Sequence, residues 1–431
     1  MLSRFTSVRR SLNDVKMNCN NNHDETSKNN CNRITKKYIN SAEFKNLKLT
    51  YEYLANGLNG TVLKINEIPH VVVKNIKSKV EQNVNERIMK YNAAIHSPHF
   101  LYVYGVDYSN DHFNLFFEKA DGNITQLING INLHKFNIEN IIIQIILAVY
   151  TLHRNIGYYY VDSKFDNILY TKLKKNQTYT YAINFEKFTL KNVQYTVHLA
   201  DFGDAQLISP YVVKALSDGK KRSKLNFESD AAFTYLVLDY LKPLCEILID
   251  KTVRSDRVLR NFKTLSINTL KLLHALIKVL LEYDTKIKKH LQKQTMLSIT
   301  YMHYLYDIEE KMLIELINTF IAHDRNKNMQ KSYTISFEIK SLIFNTPPNE
   351  LNGYIQVPKT FILYDPNEKM TNDLEQSKGH QYIMHATYYI NDFYALQNYL
   401  YVSLGGKKRK TLGKRSTRKK STYHKLSLNH S

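Results

Sequence analysis

Tryptophan is absent from this 431-residue chain, and cysteine is nearly so, with three. Cys19, Cys31 and Cys245 are too few and too scattered for a disulfide framework or a metal site, so a reducing compartment is expected and secretion is not. The lack of tryptophan accompanies an abundance of Tyr, Asn, Ile and Lys, a bias that AT-rich coding produces without selection on function, and isolated lysines carry little weight. Long apolar runs are missing too. The most apolar stretch, Ile141 to Tyr150, is broken by Gln144 and falls far short of the roughly 20 residues a membrane span requires. No transmembrane segment and no membrane partner are expected. Acids are missing from Met1 to Leu12, which holds Arg4, Arg9 and Arg10. That stretch reads as a disordered basic tail or a weak mitochondrial-type presequence, and the lack of a small-residue cleavage pattern favours the tail.

Apolar residues make up 43% of the chain, enough for a real core. The net charge of +21 suggests a polyanion binder, but ten of the positive charges lie between Lys407 and Lys425, so the folded part is only moderately basic. Such a tail would neutralise nucleic-acid phosphates regardless of sequence. A nuclear or nucleolar address read by an import factor, or simple solubilising charge, accounts for residues 407–425 equally well. With no regular aromatic interleaving, the tail has no base-stacking code.

Residues 1–45 are polar, include the Asn-rich run Asn18 to Asn32, and are expected to be disordered. A β-rich unit follows over 46–120, with glycine turns between Leu47 and Val73, helical spacing from Val80 to Ala94, and strands at Tyr102 to Val106 and Phe113 to Glu118. Residues 121–325 read as a larger helical unit. It opens with a long apolar helix from Ile138 to Arg154, and further helices are expected at 230–250, 266–283 and 296–322. An insertion at about 171–195 can form a hairpin from Thr178 to Ala182 and Tyr195 to Leu199. Residues 326–404 form an extension of unassigned role, and 405–431 are a disordered basic tail. The fold class is α+β, a small β-rich part with one main helix beside a larger helical part.

Five local patterns carry chemistry. Ala55-Asn56-Gly57-Leu58-Asn59-Gly60-Thr61-Val62 sets two glycines three apart between strands, where backbone N–H groups can approach phosphate oxygens. By itself such a pair is an ordinary turn. Val71-Val72-Val73-Lys74 ends an apolar strand on a lysine, and Glu86 lies in the helical segment after it. Asp162-Ser163-Lys164-Phe165-Asp166-Asn167 places Asp-x-Lys-x-x-Asn on a loop before an apolar strand, a spacing that a plain polar connector does not require. Val197-His198-Leu199-Ala200-Asp201-Phe202-Gly203 presents an acid at a strand end with a glycine after it, suited to holding a metal ion.

In this order the five patterns resemble the eukaryotic-type protein kinase family over roughly residues 50–325. The resemblance implies a two-lobed fold, ATP and Mg2+ as cofactors, and transfer of the γ-phosphate to protein serine or threonine hydroxyls. It implies that Ala55, Gly57, Gly60 and Val62 cover the nucleotide, that Lys74 contacts the α and β phosphates, and that Glu86 orients Lys74. Phe117 matches the gatekeeper, with Glu118 to Ala120 binding adenine through their backbone. Asp162 would be the catalytic base, Lys164 would steady the transferring phosphate, and Asn167 and Asp201 would hold Mg2+. Asp230 looks like the buried aspartate that braces the catalytic loop. The bias in composition and the basic tail look like the divergent kinases of large cytoplasmic DNA viruses, which would place the chain in the host cytoplasm or nucleus, or in the virion.

Departures from the family are equally plain. Ala55 stands for the first glycine, Tyr160 and Val161 replace the His-Arg before the catalytic aspartate, and no Ala-Pro-Glu occurs between Asp201 and Asp230. Loss of that arginine speaks against activation by a phosphorylated loop. Two other readings therefore stand beside a protein kinase: a small-molecule phosphotransferase of kinase fold, against which Lys164 argues, and a pseudokinase, against which the intact Lys74, Asp162 and Asp201 argue.

Overall fold

The computed structural model describes residues 12, 14–16, 19, 25–57, 60–95, 97–109, 112–130, 138–183, 186–208, 234–248, 265–293, 299–325, 355–357, 393–397, 399 and 400. It is a mixed α+β structure. Two N-terminal helices, α1 (Glu25–Ile39) and α2 (Ala42–Lys45), precede strands β1 (Tyr51–Gly57), β2 (Gly60–Ile65) and β3 (Val71–Ile76). Helix α3 (Lys79–Ile95) leads to β4 (Val103–Ser109) and β5 (His112–Glu118), completing an antiparallel sheet of order β1-β2-β3-β5-β4.

The register decides what this sheet presents. Residues directly opposite in neighbouring strands share a face. Ala55 pairs with Val62, Val62 with Lys74, and Val72 with Phe117, so Ala55, Val62, Lys74 and Phe117 all lie on one face. The other face carries Val71, Val73 and Phe116, and these pack with Tyr38, Ile39 and Phe44 of the N-terminal helices into a core of their own. For residues 25–45 this overturns the expectation of a disordered 1–45; most of residues 1–24 lie outside the described residues. The apolar side chains are few, but Ile34, Tyr38 and Ile39 recur at helical spacing and form one stripe. The cysteine reading is corrected at the same place, since Cys19 and Cys31 are joined in a disulfide; Cys245 is buried and takes part in no disulfide among the described residues.

After β6 (Gly122–Asn123) and α4 (Ile124–Gly130) comes α5 (Ile138–Thr151), every residue of which is buried. Its isoleucines and Leu147 each contribute about 1.5–3 kcal/mol by burial, which fixes the helix as the axis of the larger core. A wider turn, Leu152–Ile156, ends it at Gly157, which adopts φ 79°. Strand β7 (Tyr158–Tyr159) and a 3-10 turn (Phe165–Asn167) then lead to the long hairpin of β8 (Ile168–Ile183) and β9 (Glu186–Leu199). The expected hairpin is there with a different register: Tyr181 faces Phe188, while Leu169 faces His198.

Short strand β10 (Gln206–Leu207) pairs with β7. Helices α6 (Tyr235–Glu246), α7 (Ile267–Lys293) and α8 (Ile299–Arg325) supply most of the remaining core, and β11 (Ile355–Val357) runs parallel to β8. Among the described residues no helix is long and apolar enough to cross a membrane. Most of the expected extension 326–404, the tail 405–431, Asp230 and most of the segment between Asp201 and Asp230 lie outside the described residues.

Candidate functional site

Lys74 sits near the end of β3 with its ammonium between two carboxylates. Its Nζ donates to Glu81 Oε1 at 2.6 Å and to Asp201 Oδ1 at 2.8 Å. Glu81, not Glu86, is therefore the helix partner of Lys74. The start of α3 explains the difference. Ser78 caps the helix, its Oγ accepting the Glu81 N–H at 3.2 Å, so Glu81 lies in the first turn beside β3. Glu86 comes five residues later, roughly 140° round the helix. There it accepts from Gln82 Nε2 at 2.6 Å and from the Tyr108 hydroxyl at 2.9 Å. The pattern Ser78-x-x-Glu81 is a capping-box signature and could have located the first turn from sequence.

Burial pushes the Glu81 carboxyl up to about 7, against the pull of Lys74, and its Oε2 has no hydrogen-bond partner among the described residues. Burial also opposes the charge on Lys74, but Glu81 and Asp201 outweigh it and raise the lysine above its ordinary range. The result is a cation fixed in position by two acids from separate elements.

Asp201 follows β9, and several contacts set the end of that strand. Gln144 of α5 donates to Tyr195 O at 3.0 Å and accepts the Val197 N–H at 3.2 Å. His99 Nδ1 lies 3.0 Å from Val197 O, and the Leu199 N–H donates to His99 O at 2.9 Å. Burial holds His99 down to about 4, so the ring is neutral at physiological pH. Asp201 itself adopts φ 56°, a left-handed conformation uncommon for a residue other than glycine.

The loop Asp162–Asn167 joins this strand end. The Ala200 N–H donates to Asn167 O at 3.1 Å. Buried Tyr160 bridges the same two backbones. Its hydroxyl lies 2.8 Å from Asn167 O and in close contact with Ala200 O, and it accepts the Ala200 N–H at 3.2 Å. Its ring lies 5.6 Å from that of Phe202. Tyr160 thus holds together the segments that carry Asp162 and Asp201.

Asp162 is paired through both of its carboxylate oxygens. Oδ2 accepts from Lys164 Nζ at 2.5 Å and from Asn167 Nδ2 at 2.9 Å, and Oδ1 accepts from Lys242 Nζ at 2.6 Å. Burial opposes its charge, yet Lys242 and Lys164 hold the carboxyl below the usual range. Lys242 comes from α6 and has no counterpart among the sequence-based candidates.

Asp239, also on α6, braces the loop from behind. Fully buried, it accepts the N–H groups of Tyr160 and Val161, each at 2.6 Å, and it meets His153 Nε2 at 2.9 Å. Val161 is held at φ 67°, a strained value for a β-branched residue. The bracing aspartate expected at Asp230 is outside the described residues, whereas Asp239 does make the bracing contacts. An acid amid the apolar run Tyr235-Leu-Val-Leu-Asp239-Tyr-Leu was the available signal, because such residues are buried only when paired.

The remaining candidates flank this centre. Gly57 pairs with Gly60 at the open end of β1 and β2. Gly60 adopts φ 154°, and a Cβ there would stand 2.1 Å from Asn75 O, so the β3 backbone alone demands glycine. Phe117 is half-buried on the Lys74 face. Glu118 directs its carboxylate to Lys28 of α1 at 2.6 Å, and Ala120 follows Lys119, whose N–H donates to His70 O at 2.9 Å. The site therefore gathers one lysine and two acids on one side, and an Asp-Lys-Asn loop braced by buried polar groups on the other. No protein-family model and no curated protein matches the chain.

Proposed function

We propose that this chain is an ATP- and Mg2+-dependent protein kinase with a two-lobed fold, residues 46–120 forming the small lobe and 121–325 the large one, acting on serine or threonine hydroxyls. The single observation that supports this reading best is Lys74 held between Glu81 and Asp201, with Asn167 O and Ala200 N hydrogen-bonded so that the Asp162 loop lies against the same strand end.

The donor set fits the cofactors by its chemistry. Asp201 and Asn167 offer the hard oxygen ligands that Mg2+ prefers. Lys74 and Lys164 offer cations for phosphate oxygens. Bound ATP would supply the phosphoryl group, and its Mg2+ would offset the charge developing on the phosphate oxygens. The protein's part is positional. The face bearing Ala55, Val62 and Phe117 receives the nucleotide beneath the Gly57–Gly60 hairpin, with the backbone of Glu118 to Ala120 at its far end. Glu81 and Asp201 fix Lys74, so the ammonium loses little entropy on meeting an anion. Asp162, kept ionised by Lys164 and Lys242, orients the incoming hydroxyl and takes its proton.

Incubation with γ-labelled ATP and Mg2+ in the presence of casein and myelin basic protein tests this. Label is expected on serine or threonine of an acceptor protein or of the chain itself. Nucleotide binding with no label in any protein would overturn it.

A further inference from the structure

We propose that Cys19, Cys31 and His70 form a thiolate-imidazole site for a zinc-class divalent metal when the Cys19–Cys31 disulfide is reduced. The proposal is independent of the kinase reading.

One ligand atom from each of the three residues lies within 4.8 Å of the other two. A tetrahedral zinc has bonds of about 2.3 Å to sulfur and 2.0 Å to nitrogen, which sets ligand atoms roughly 3.5–4 Å apart, so the grouping needs only small side-chain movements. The three come from separate pieces of chain: Cys19 precedes α1, Cys31 is on α1, and His70 immediately precedes β3. Thr35 sits at their centre with its side chain fully buried. Its Oγ1 is 3.0 Å from His70 Nε2, 3.5 Å from Cys19 Sγ and 3.9 Å from Cys31 Sγ. With Thr35 on Nε2, the metal would take the other ring nitrogen of His70, Nδ1, the arrangement in which outer partners commonly orient a metal-bound histidine. Three protein ligands leave the fourth position to water.

Disulfide and metal exclude each other at these sulfurs. A dithiol reductant passes two electrons and two protons to the Cys19–Cys31 bond, breaking it to two thiols while the reductant closes its own disulfide. Each thiol then loses a proton to solvent as its sulfur binds the metal. Either state ties α1 to residue 19, but only the metal state joins both sulfurs to His70 through a shared ion. His70 O accepts the Lys119 N–H, and Lys28 of α1 pairs with Glu118, so the site lies behind the segment linking β5 to the rest of the chain.

Cobalt(II) is the probe, added to the full-length reduced chain under argon. A single cobalt per chain with thiolate-to-cobalt charge-transfer absorption is expected. That absorption should vanish in Cys19→Ser, Cys31→Ser and the disulfide form, weaken in His70→Asn, and persist in Cys245→Ser. A reduced chain without the band, or a band that survives Cys31→Ser, overturns the proposal. Because a variant could misfold, peptide-resolved alkylation of the unmutated reduced chain gives a second measure. Zinc should slow modification of Cys19 and Cys31 at least tenfold, and equal rates with and without zinc overturn the site.

Discussion

At the scale of single residues, the fate of Lys74 depends on where a helix begins. Glu81 faces it because Ser78 starts α3, and Glu86 faces Gln82 and Tyr108 instead. Glu81→Gln leaves Lys74 with Asp201 alone, and misplacement of that ammonium should lower kcat/KM for ATP by roughly 10²-fold. Glu86→Gln should leave it within about twofold, since neither of its hydrogen bonds reaches Lys74. Steady-state kinetics of the two variants side by side checks this, and equal losses would contradict the pairing. Lys74, Asp162, Lys164, Asn167 and Asp201 were legible in the sequence because their spacing along the chain is itself the signal. Tyr160 and Lys242 were not, because each acts through a contact between segments distant in sequence, while Glu81 and Asp239 had only the local signals of a capping box and of an acid within an apolar run.

Among the elements, the β1–β2 hairpin and the junction behind the Asp162 loop are the most demanding. Gly60→Ala sets a methyl group against Asn75 O and should cost about 1–3 kcal/mol of stability, measurable by chemical denaturation. A variant as stable as the parent would show that the hairpin yields freely. At the junction, His153 joins the turn after α5 to α6 and α8, with Nε2 on Asp239 at 2.9 Å and Nδ1 on Glu309 at 2.6 Å. Burial opposes the imidazolium, but the two carboxylates win and lift His153 to about 9 from an ordinary 6.5. A raised histidine contributes stability that is complete below pH 6.5 and is lost as pH rises through 9. About 3 kcal/mol should therefore disappear across that interval, and His153→Gln should flatten the profile. Unfolding free energies from pH 6 to pH 9.5 check it; parallel profiles would contradict the assignment. Helix positions were readable here from apolar periodicity, but the ion network was not, since nothing local to His153 names Glu309, 156 residues away.

Across the whole molecule, the α+β class and the order of a β-rich part before a helical part follow from hydrophobic periodicity, which switches from two to nearly four residues along the chain. The N-terminal segment escaped that reading. Its composition is polar enough for disorder, yet one stripe of Ile34, Tyr38 and Ile39 suffices once the sheet offers Val71, Val73 and Phe116 to cover. A helix covers the back of the sheet and not the Lys74 face, and the Asp162 loop meets the Asp201 strand end through Tyr160 and Asn167. The proposed chemistry thus separates into nucleotide holding by Lys74, Glu81 and Asp201, and hydroxyl activation by Asp162. Transfer of labelled γ-phosphate by Asp162→Asn, measured beside ATP affinity, tests that division most directly. Affinity should stay within about threefold of the parent while transfer falls by roughly 10²–10⁴-fold. Transfer at the parental rate would remove Asp162 from the chemistry and with it the central claim.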